Sequence, residues 1–209
     1  MNDEAVEFAS LLCSRLCHDL LSPVGALNNG LELLVDEHDP EMRSRILALL
    51  SESATASAAK LKFFRLAFGA AGGFGEQVDA REGKIALEGL FGGDRRVQIG
   101  WLVEQEQMDK AALKVLLNLA LIAGDALVRG GRLDIGAEEG EIVVRAEGPR
   151  IVLDPELRAA LEGKTDSKAL TPRAAAAFLA NSLARRRGGS ITVSEPGDGV
   201  LMFGAMLGA

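Results

Sequence analysis

The first 68 residues carry two long helical patterns that are separated by a short polar turn. Apolar residues recur every three or four positions through residues 4–35 and again through residues 41–68, which is the spacing of one helical face. The turn at residues 36–40 is polar and ends in proline, and we expect His38 within it to be solvated. Two long helices with so short a connection run antiparallel. The segment therefore predicts a helical hairpin.

Each of these helices is apolar on one side only. In the first helix this apolar stripe comprises Leu12, Leu16, Leu20, Val24, Leu27, Leu31 and Leu34. A two-helix hairpin cannot enclose a core by itself, whereas two copies can form a four-helix bundle with twofold symmetry. We therefore expect a homodimer. The glycine-rich run at residues 69–75 predicts a linker, with a helical dimerisation domain over residues 1–70 and a second domain over residues 76–209.

The second domain mixes short strands with helices. Alternating apolar residues predict strands at 76–81, 96–104, 132–138, 141–147, 190–195 and 199–207. Helical spacing predicts helices at 83–91, 109–129, 154–162 and 171–187. Because the two element types do not alternate strictly, we expect an α/β sandwich with a mixed sheet. The predicted fold class of the whole chain is α+β, a helical hairpin followed by this sandwich.

Composition and charge exclude several classes of protein. The formal net charge is −7 and the basic residues are dispersed, which argues against nucleic-acid binding. No apolar run reaches the roughly 18–20 residues of a membrane span, and the acidic start is unlike a signal peptide, so we expect a cytoplasmic protein. Cys13 and Cys17 are then reduced, and their place beside the apolar stripe predicts small buried hydrophobic side chains. With two histidines and two cysteines in the chain, we expect no bound metal.

His18 is the first candidate for a functional residue. At about 100° per residue it lies nearly opposite the apolar stripe, so we expect its ring to be exposed. The neighbouring positions on its face are small or polar and would let another protein approach: Ser14, Arg15, Ser22 and Gly25. Many exposed histidines have no function. However, an acid, Asp19, follows His18 directly, and Pro23 lies five positions after His18. A proline inside a helix lowers helix stability by about 3 kcal/mol. Both details favour a function for His18.

Two parts of the chain resemble parts of histidine kinases. The spacing of His18, Asp19 and Pro23 is similar to the phosphoacceptor box, which commonly reads His-Glu-x-x-x-Pro. Residues 76–209 resemble the catalytic ATP-binding domain of the same kinases, the Bergerat or GHKL fold. The run Leu-Leu-Asn-Leu at 116–119 matches the kinase N-box, and residues 188–203 follow the family's closing hairpin. The N-box run and the closing hairpin consist of packing and turn residues, so these two matches identify a fold rather than an activity.

The residues that would bind ATP in such a domain are replaced. Ile122 stands where the N-box has its metal-holding asparagine, and Ala146 stands where an aspartate hydrogen-bonds the adenine. Arg150 replaces a glycine of the second motif, and Ala174 and Ala176 replace glycines of the loop that cradles the phosphates. The resemblance therefore implies a degenerate pseudo-kinase domain that binds no ATP and no other cofactor. That Arg150 fills the vacated pocket is a hypothesis.

The combination of an acceptor-like histidine and a degenerate ATP domain resembles the ChpT-type histidine phosphotransferases of alphaproteobacteria. This resemblance spans essentially the whole chain and is strongest over residues 17–34. It implies a phosphotransferase that shuttles a phosphoryl group between the receiver domain of a hybrid histidine kinase and response regulators, in cell-cycle control.

Within that chemistry we expect His18 to be the phosphoacceptor. Asp19 is expected to orient its ring or to accept its other proton, the alternative being a solvated acid. Partner contacts are expected from Arg15, Ser14, Ser22 and Gly25, with plain surface as the alternative for Arg15 and Ser22. The Mg²⁺ that such transfer uses is expected on the carboxylates of the partner receiver domain.

Two other functions stay open at this point. A non-catalytic dimeric adaptor of two-component signalling would use the bundle only to bind partners and would leave His18 idle. An active, autophosphorylating histidine kinase is disfavoured by Ile122, Ala146, Ala174 and Ala176. Transfer of phosphate from a receiver domain to the protein, with and without His18, separates these functions.

Overall fold

The hairpin consists of two antiparallel helices. The structure, a computed structural model, describes four stretches of the chain: residues 3–69, 76–92, 97–166 and 169–208. Helix α1 spans Asp3–Asp36 without interruption at Pro23, and helix α2 spans Pro40–Ala67. Asp39 caps α2 by accepting hydrogen bonds from two backbone N–H groups of its first turn. His38 is exposed in the turn, as predicted.

Small and apolar residues hold α1 against α2. Gly30 is buried against Leu50, and a Cβ at Gly30 would come within 2.8 Å of the Leu50 side chain. Ile46 is buried on the facing side of α2. Because α2 covers only part of the apolar stripe, Val24 and Leu31 stay about half exposed. The hairpin therefore leaves apolar surface in solvent, as the sequence predicts.

The two cysteines correct one expectation. Cys13 and Cys17 are both exposed thiols, so the expectation that they are buried is wrong. Helical periodicity places them beside the apolar stripe, but it does not say how far round the helix the packing extends. In the structure the flank of α1 that carries them remains in solvent.

The second part of the chain is a mixed five-stranded sheet with helices packed on it. In order across the sheet, the strands are β2 (Val97–Trp101), β4 (Gly131–Glu138), β5 (Glu141–Glu147), β7 (Val200–Met206) and β6 (Ser190–Val193). Strands β2 and β4 are parallel, and the other neighbours are antiparallel. The helices are α3 (Ala80–Phe91), α4 (Lys110–Ala126), α5 (Pro155–Leu161) and α6 (Ala175–Arg186). This confirms the predicted α/β sandwich with a mixed sheet.

The boundaries of several elements differ from the prediction. Strand β1 spans only Gln77–Asp79, because Asp79 caps α3 and accepts a hydrogen bond from its first turn. It pairs with β3 (Gln107–Asp109), a strand too short to show alternation, in a separate two-stranded sheet. The β4–β5 hairpin turns at Glu139 and Gly140, which both have positive φ, at the predicted place.

One hydrophobic core joins the hairpin to the α/β part. Phe63, Phe64 and Leu66 at the end of α2 are buried in the same cluster as the inner face of the sheet and α4. Asn118 of α4 is buried and donates a hydrogen bond of 3.2 Å to the carbonyl of Ala67, at the last turn of α2. The core therefore fixes where α1 and α2 sit on the sheet. Residues 70–75, on which the predicted domain boundary falls, lie outside the described residues.

Candidate functional site

His18 lies on α1 at the edge of an open cleft of about 1240 Å³. Its side chain is 84% exposed, as its place opposite the apolar stripe predicts. Ser14, Arg15 and Asp19 line the cleft on the same side as His18. The facing wall belongs to the α/β part and includes residues 127–130 and 171–173. The cleft can therefore admit a group from another protein to the imidazole.

Asp19 fixes which nitrogen of His18 carries the proton. The Nδ1 atom of His18 lies 3.1 Å from Oδ1 of Asp19. A carboxylate can only accept a hydrogen bond, so in this contact Nδ1 is protonated and donates. The neutral ring then has its lone pair on Nε2. This arrangement leaves Nε2 as a nucleophile on an exposed ring.

Arg15 connects this pair to the α/β part. Its Nε donates to Oδ2 of Asp19 at 2.7 Å, and its Nη2 donates to Oδ2 of Asp125 in α4 at 3.0 Å. Burial of the Arg15 guanidinium opposes its charge, but the two carboxylates more than offset this, so the pKa of Arg15 is raised above its ordinary value. The Arg15 side chain is only 14% exposed and stays charged between the two acids.

The proline in the helix creates a further contact beside His18. Pro23 has no N–H, so the carbonyl of Asp19, four residues earlier, lacks its usual helical partner. Lys60 of α2 reaches across and donates to that carbonyl at 2.6 Å. The ammonium group thus satisfies the acceptor that the proline leaves open, and it ties α2 to the turn that carries His18.

The other predicted partner contacts divide into two groups. Ser14 lies in the cleft with His18, whereas Ser22 and Gly25 do not line it. Ser22 is exposed, and a Cβ at Gly25 would have open space around it. Partner binding by these residues stays a prediction.

Sequence reasoning missed four residues of this site: Asp125, Lys60, Arg129 and Arg173. The missing helical donor at Pro23 signals that the Asp19 carbonyl needs a partner, although not which residue supplies it. No comparable sequence signal marks Asp125, which lies 110 residues from Arg15 in the chain.

The positions that would bind ATP are filled with hydrocarbon. Ile122, Ala174 and Ala176 are buried where α6 packs on α4, and Ala146 is buried within β5. The cavity that Ile122 and Ala176 line has a volume of about 20 Å³. That volume is far below the roughly 300 Å³ of a small-molecule site. The side chains of Ile122 and Ala146 also have no polar atom with which to hold a metal ion or to accept a hydrogen bond from adenine, so these residues do not fit a nucleotide. Pro149 and Pro172, from the same two glycine motifs, line the large cleft beside His18.

Arg150 does not fill that space. Its side chain is exposed and lines neither the cleft nor the small cavity, so the hypothesis that it occupies the vacated pocket is wrong. Beside Ile122 of α4 and Ala176 of α6, only the small cavity remains.

Two kinds of feature are absent from the residues that the structure describes: metal-binding clusters and membrane-spanning helices. Within the described residues, no group of three or more His, Cys, Asp or Glu side chains could hold a metal ion. Among the described helices, none is both long and apolar enough to cross a bilayer.

Comparisons with known proteins show the family of the chain. Residues 80–199 match the family model of the histidine phosphotransferase C-terminal domain. The chain is 31% identical to the protein phosphotransferase ChpT of Brucella abortus (strain 2308) over 201 residues, and this alignment covers 94% of each chain. A structure of a bacterial phosphotransferase solved at 1.7 Å superposes with a TM-score of 0.84, at 30% identity over 96% of each chain.

Structural neighbours also include histidine kinase domains. The histidine kinase AdeS of Acinetobacter baumannii is 16% identical, with a TM-score of 0.46 over 91% of this chain and 97% of that one.

The family match covers more than half of the chain, and the relative at 31% identity covers nearly all of it. The chain therefore belongs to the histidine phosphotransferase family, whose members act in phosphorelays.

Proposed function

We propose that this protein carries a phosphoryl group on His18 between aspartates of receiver domains. The observation that supports this most directly is the state of the imidazole. Its Nδ1 is engaged by Asp19, and its ring is exposed at a cleft wide enough for part of another protein. A histidine held in this way suits nucleophilic attack on a phosphoryl group from outside the chain.

The transfer step follows from the protonation of the ring. The Nε2 lone pair of His18 attacks the phosphorus of an aspartyl phosphate on the receiver, in line with the leaving oxygen. The Nε2–P bond forms as the P–O bond breaks, and the aspartate leaves as a carboxylate. The imidazole then carries a positive charge, which Asp19 stabilises through the Nδ1–H hydrogen bond. The reverse step passes the group to the aspartate of a second receiver.

The donor and acceptor in this proposal are receiver domains of a hybrid histidine kinase and of response regulators. A receiver that reaches His18 through the cleft also approaches the exposed side chains of Arg129 and Arg173 on the facing wall. Their positive charge is complementary to a phosphorylated acidic pocket. The Mg²⁺ that assists the transfer is expected on the receiver's own carboxylates, and the protein is expected in the cytoplasm.

We further propose that the phosphoryl group does not come from ATP bound to this chain. The small volume beside Ile122 and the tight packing of Ala174 and Ala176 support this. With no nucleotide held next to His18, the group has to arrive on another protein. An active histidine kinase is therefore disfavoured.

A homodimer is part of the proposal. Large apolar side chains are exposed along both helices, and Val24, Leu31 and Val35 lie on one face of α1. An exposed apolar face of this kind is typical of a protein interface. A second hairpin would cover it and complete a four-helix bundle.

The phosphotransfer experiment compares the two histidines of the chain. A receiver domain from a hybrid kinase of the same genome is radiolabelled by its kinase, separated from ATP and mixed with each variant. We expect wild type and His38→Ala to take up label equally, because His38 lies in the exposed interhelical turn. His18→Ala should take up none.

The same experiment discriminates the alternatives. A dimeric adaptor would bind the receiver without accepting label in wild type, whichever hybrid-kinase receiver of the genome is offered. Uptake of label by His18→Ala at the wild-type level would show that His18 is not the acceptor. Either result overturns the proposal.

A further inference from the structure

Four side chains form a continuous chain of hydrogen bonds that ends at His18. Asp125 of α4 accepts from Arg15, Arg15 donates to Asp19, and Asp19 accepts from His18. The two oxygens of Asp19 have different partners, since Oδ2 meets Arg15 and Oδ1 meets His18. The chain begins in the degenerate domain and ends at the acceptor histidine.

The middle of this chain of hydrogen bonds is much more buried than its end. The side chains of Arg15 and Asp19 are largely buried, whereas the His18 ring is in solvent. A guanidinium donates through a rigid planar fork, so two bonds fix its plane and with it the carboxylate that it meets. An exposed imidazole has no such support of its own. Its orientation therefore depends on how firmly Oδ1 of Asp19 is held.

A second contact keeps α1 close to the α/β part. The rings of Phe8 in α1 and Phe178 in α6 lie with their centroids 5.2 Å apart. Together with the bond between Arg15 and Asp125, this contact attaches α1 to the α/β part at two places, both on the N-terminal side of His18. The Arg15 side chain is thus held from the degenerate domain rather than from α1 alone.

From this geometry we infer that Arg15 and Asp125 are positioning residues for phosphotransfer. They hold the Asp19 carboxylate so that it keeps the proton of His18 on Nδ1 and leaves Nε2 as the nucleophile. The degenerate domain has then kept a part in the reaction, through Asp125, after losing its nucleotide site. This inference rests on the proposed function of His18, and Arg15 and Asp125 themselves touch no reacting atom.

The test uses a donor that needs no docking surface. Phosphoramidate is a small molecule in which phosphorus is bound to nitrogen. Attack by Nε2 of His18 forms the new N–P bond and breaks the old one, and ammonia leaves with the proton that it requires. The rate of phosphohistidine formation is measured for the full chain. Nitrogen-15 NMR of His18 reports in parallel which ring nitrogen is protonated.

Each variant has a matched control. Arg15→Gln is compared with Arg158→Gln, which alters a largely buried, ion-paired arginine away from the cleft. Asp125→Asn is compared with Asp134→Asn, which alters an arginine-paired carboxylate on the far strand β4. We expect Arg15→Gln to slow phosphorylation about tenfold and Asp125→Asn about threefold, with the proton moving from Nδ1 towards Nε2 in both. The two controls should match wild type in rate and in protonation.

Several outcomes would overturn the inference. It fails if Asp125→Asn and a folded Arg15→Gln react at the wild-type rate with Nδ1 still protonated, or if the controls lose as much rate. If Arg15→Gln does not fold, the comparison of Asp125→Asn with Asp134→Asn decides alone. The proposed function has a separate test in the same assay, because unchanged labelling of His18→Ala would contradict the acceptor role whatever Arg15 and Asp125 do.

Discussion

The two regions of this molecule that resemble a histidine kinase have opposite physical character. Around His18 two basic side chains have polar partners: Arg15 of α1 pairs with two acids, and Lys60 of α2 donates to the carbonyl that Pro23 leaves open. At positions that align with the nucleotide motifs of a kinase, Ile122, Ala146, Ala174 and Ala176 are buried hydrocarbon, and a cavity of about 20 Å³ lies beside Ile122 and Ala176. The first region is held by charged and polar contacts and the second by apolar packing.

The difference follows from the free-energy cost of leaving each kind of group without a ligand. A buried polar side chain whose ligand is gone costs free energy unless it finds a new partner, so hydrocarbon is favoured at such a position. An exposed imidazole has no comparable cost, because water solvates it. The two regions should therefore respond to substitution in opposite ways.

The largest expected effect comes from returning an asparagine to the former metal position. Ile122→Asn places an amide at a site that is 3% exposed, beside a small cavity whose charged lining residues are already paired with one another. We expect a loss of about 3 kcal/mol in the free energy of unfolding, from lost apolar burial and an unpaired amide. Urea denaturation measures it, and titration calorimetry should detect no ATP binding.

The matched control is Ile85→Asn, because Ile85 is 63% exposed on α3. It should change the free energy of unfolding by less than about 0.5 kcal/mol. Nearly equal losses in the two variants would mean that the former nucleotide site is not a packed part of the core. Recovery of ATP binding by Ile122→Asn would contradict the view that the site is closed.

A medium effect is expected where α2 supports the His18 turn. Lys60→Met removes the donor to the Asp19 carbonyl and should cost about 1–2 kcal/mol. In a Pro23→Ala background the new N–H can make the helical bond to that carbonyl, so the same change should cost about 1 kcal/mol less. Denaturation of the four proteins of this double-mutant cycle measures the coupling.

Lys62→Met is the control for this cycle, since Lys62 is exposed on the same helix. Its cost should be small and the same with proline or alanine at position 23. Additive effects of Lys60→Met and Pro23→Ala would show that the ammonium does not replace the missing helical hydrogen bond.

The smallest effect on stability is expected at His18 itself. His18→Ala removes an exposed side chain with one hydrogen bond and should change the free energy of unfolding by less than about 0.5 kcal/mol. The melting temperature and urea midpoint should stay near those of wild type. A loss of several kcal/mol would mean that the residue is structural, and a loss of phosphotransfer in that variant would then say nothing about chemistry.

Much of this fold could be predicted from the sequence because its periodicities are strong. Apolar spacing over residues 4–35 and 41–68 gives both helices to within a residue or two. The periodic patterns do not specify exact element boundaries, which capping residues set instead. Asp79, for example, ends β1 and caps the start of α3. Periodicity also fixes which face carries a residue but not what covers it, so the exposure of Cys13 and Cys17 was missed.

In the candidate site, too, the sequence predicts local pairs but not contacts between distant residues. His18 and Asp19 are adjacent in the chain, so their pairing could be expected from sequence, and the replaced position at Ile122 can be read residue by residue. Lys60 and Asp125 could not be found, because they meet their partners across 41 and 110 residues of chain. Contacts of that length depend on how the hairpin docks on the sheet, which no local pattern specifies.

The most direct test of the division between the two regions offers two phosphoryl donors to the same wild-type protein. One sample receives radiolabelled ATP with Mg²⁺, and the other receives a radiolabelled receiver domain from which ATP has been removed. The label on the protein is measured over time. We predict label from the receiver domain and none from ATP, with no measurable ATP affinity. Label from ATP alone, or a failure to take label from any hybrid-kinase receiver of the genome, would contradict a relay that depends on His18 and a closed nucleotide site.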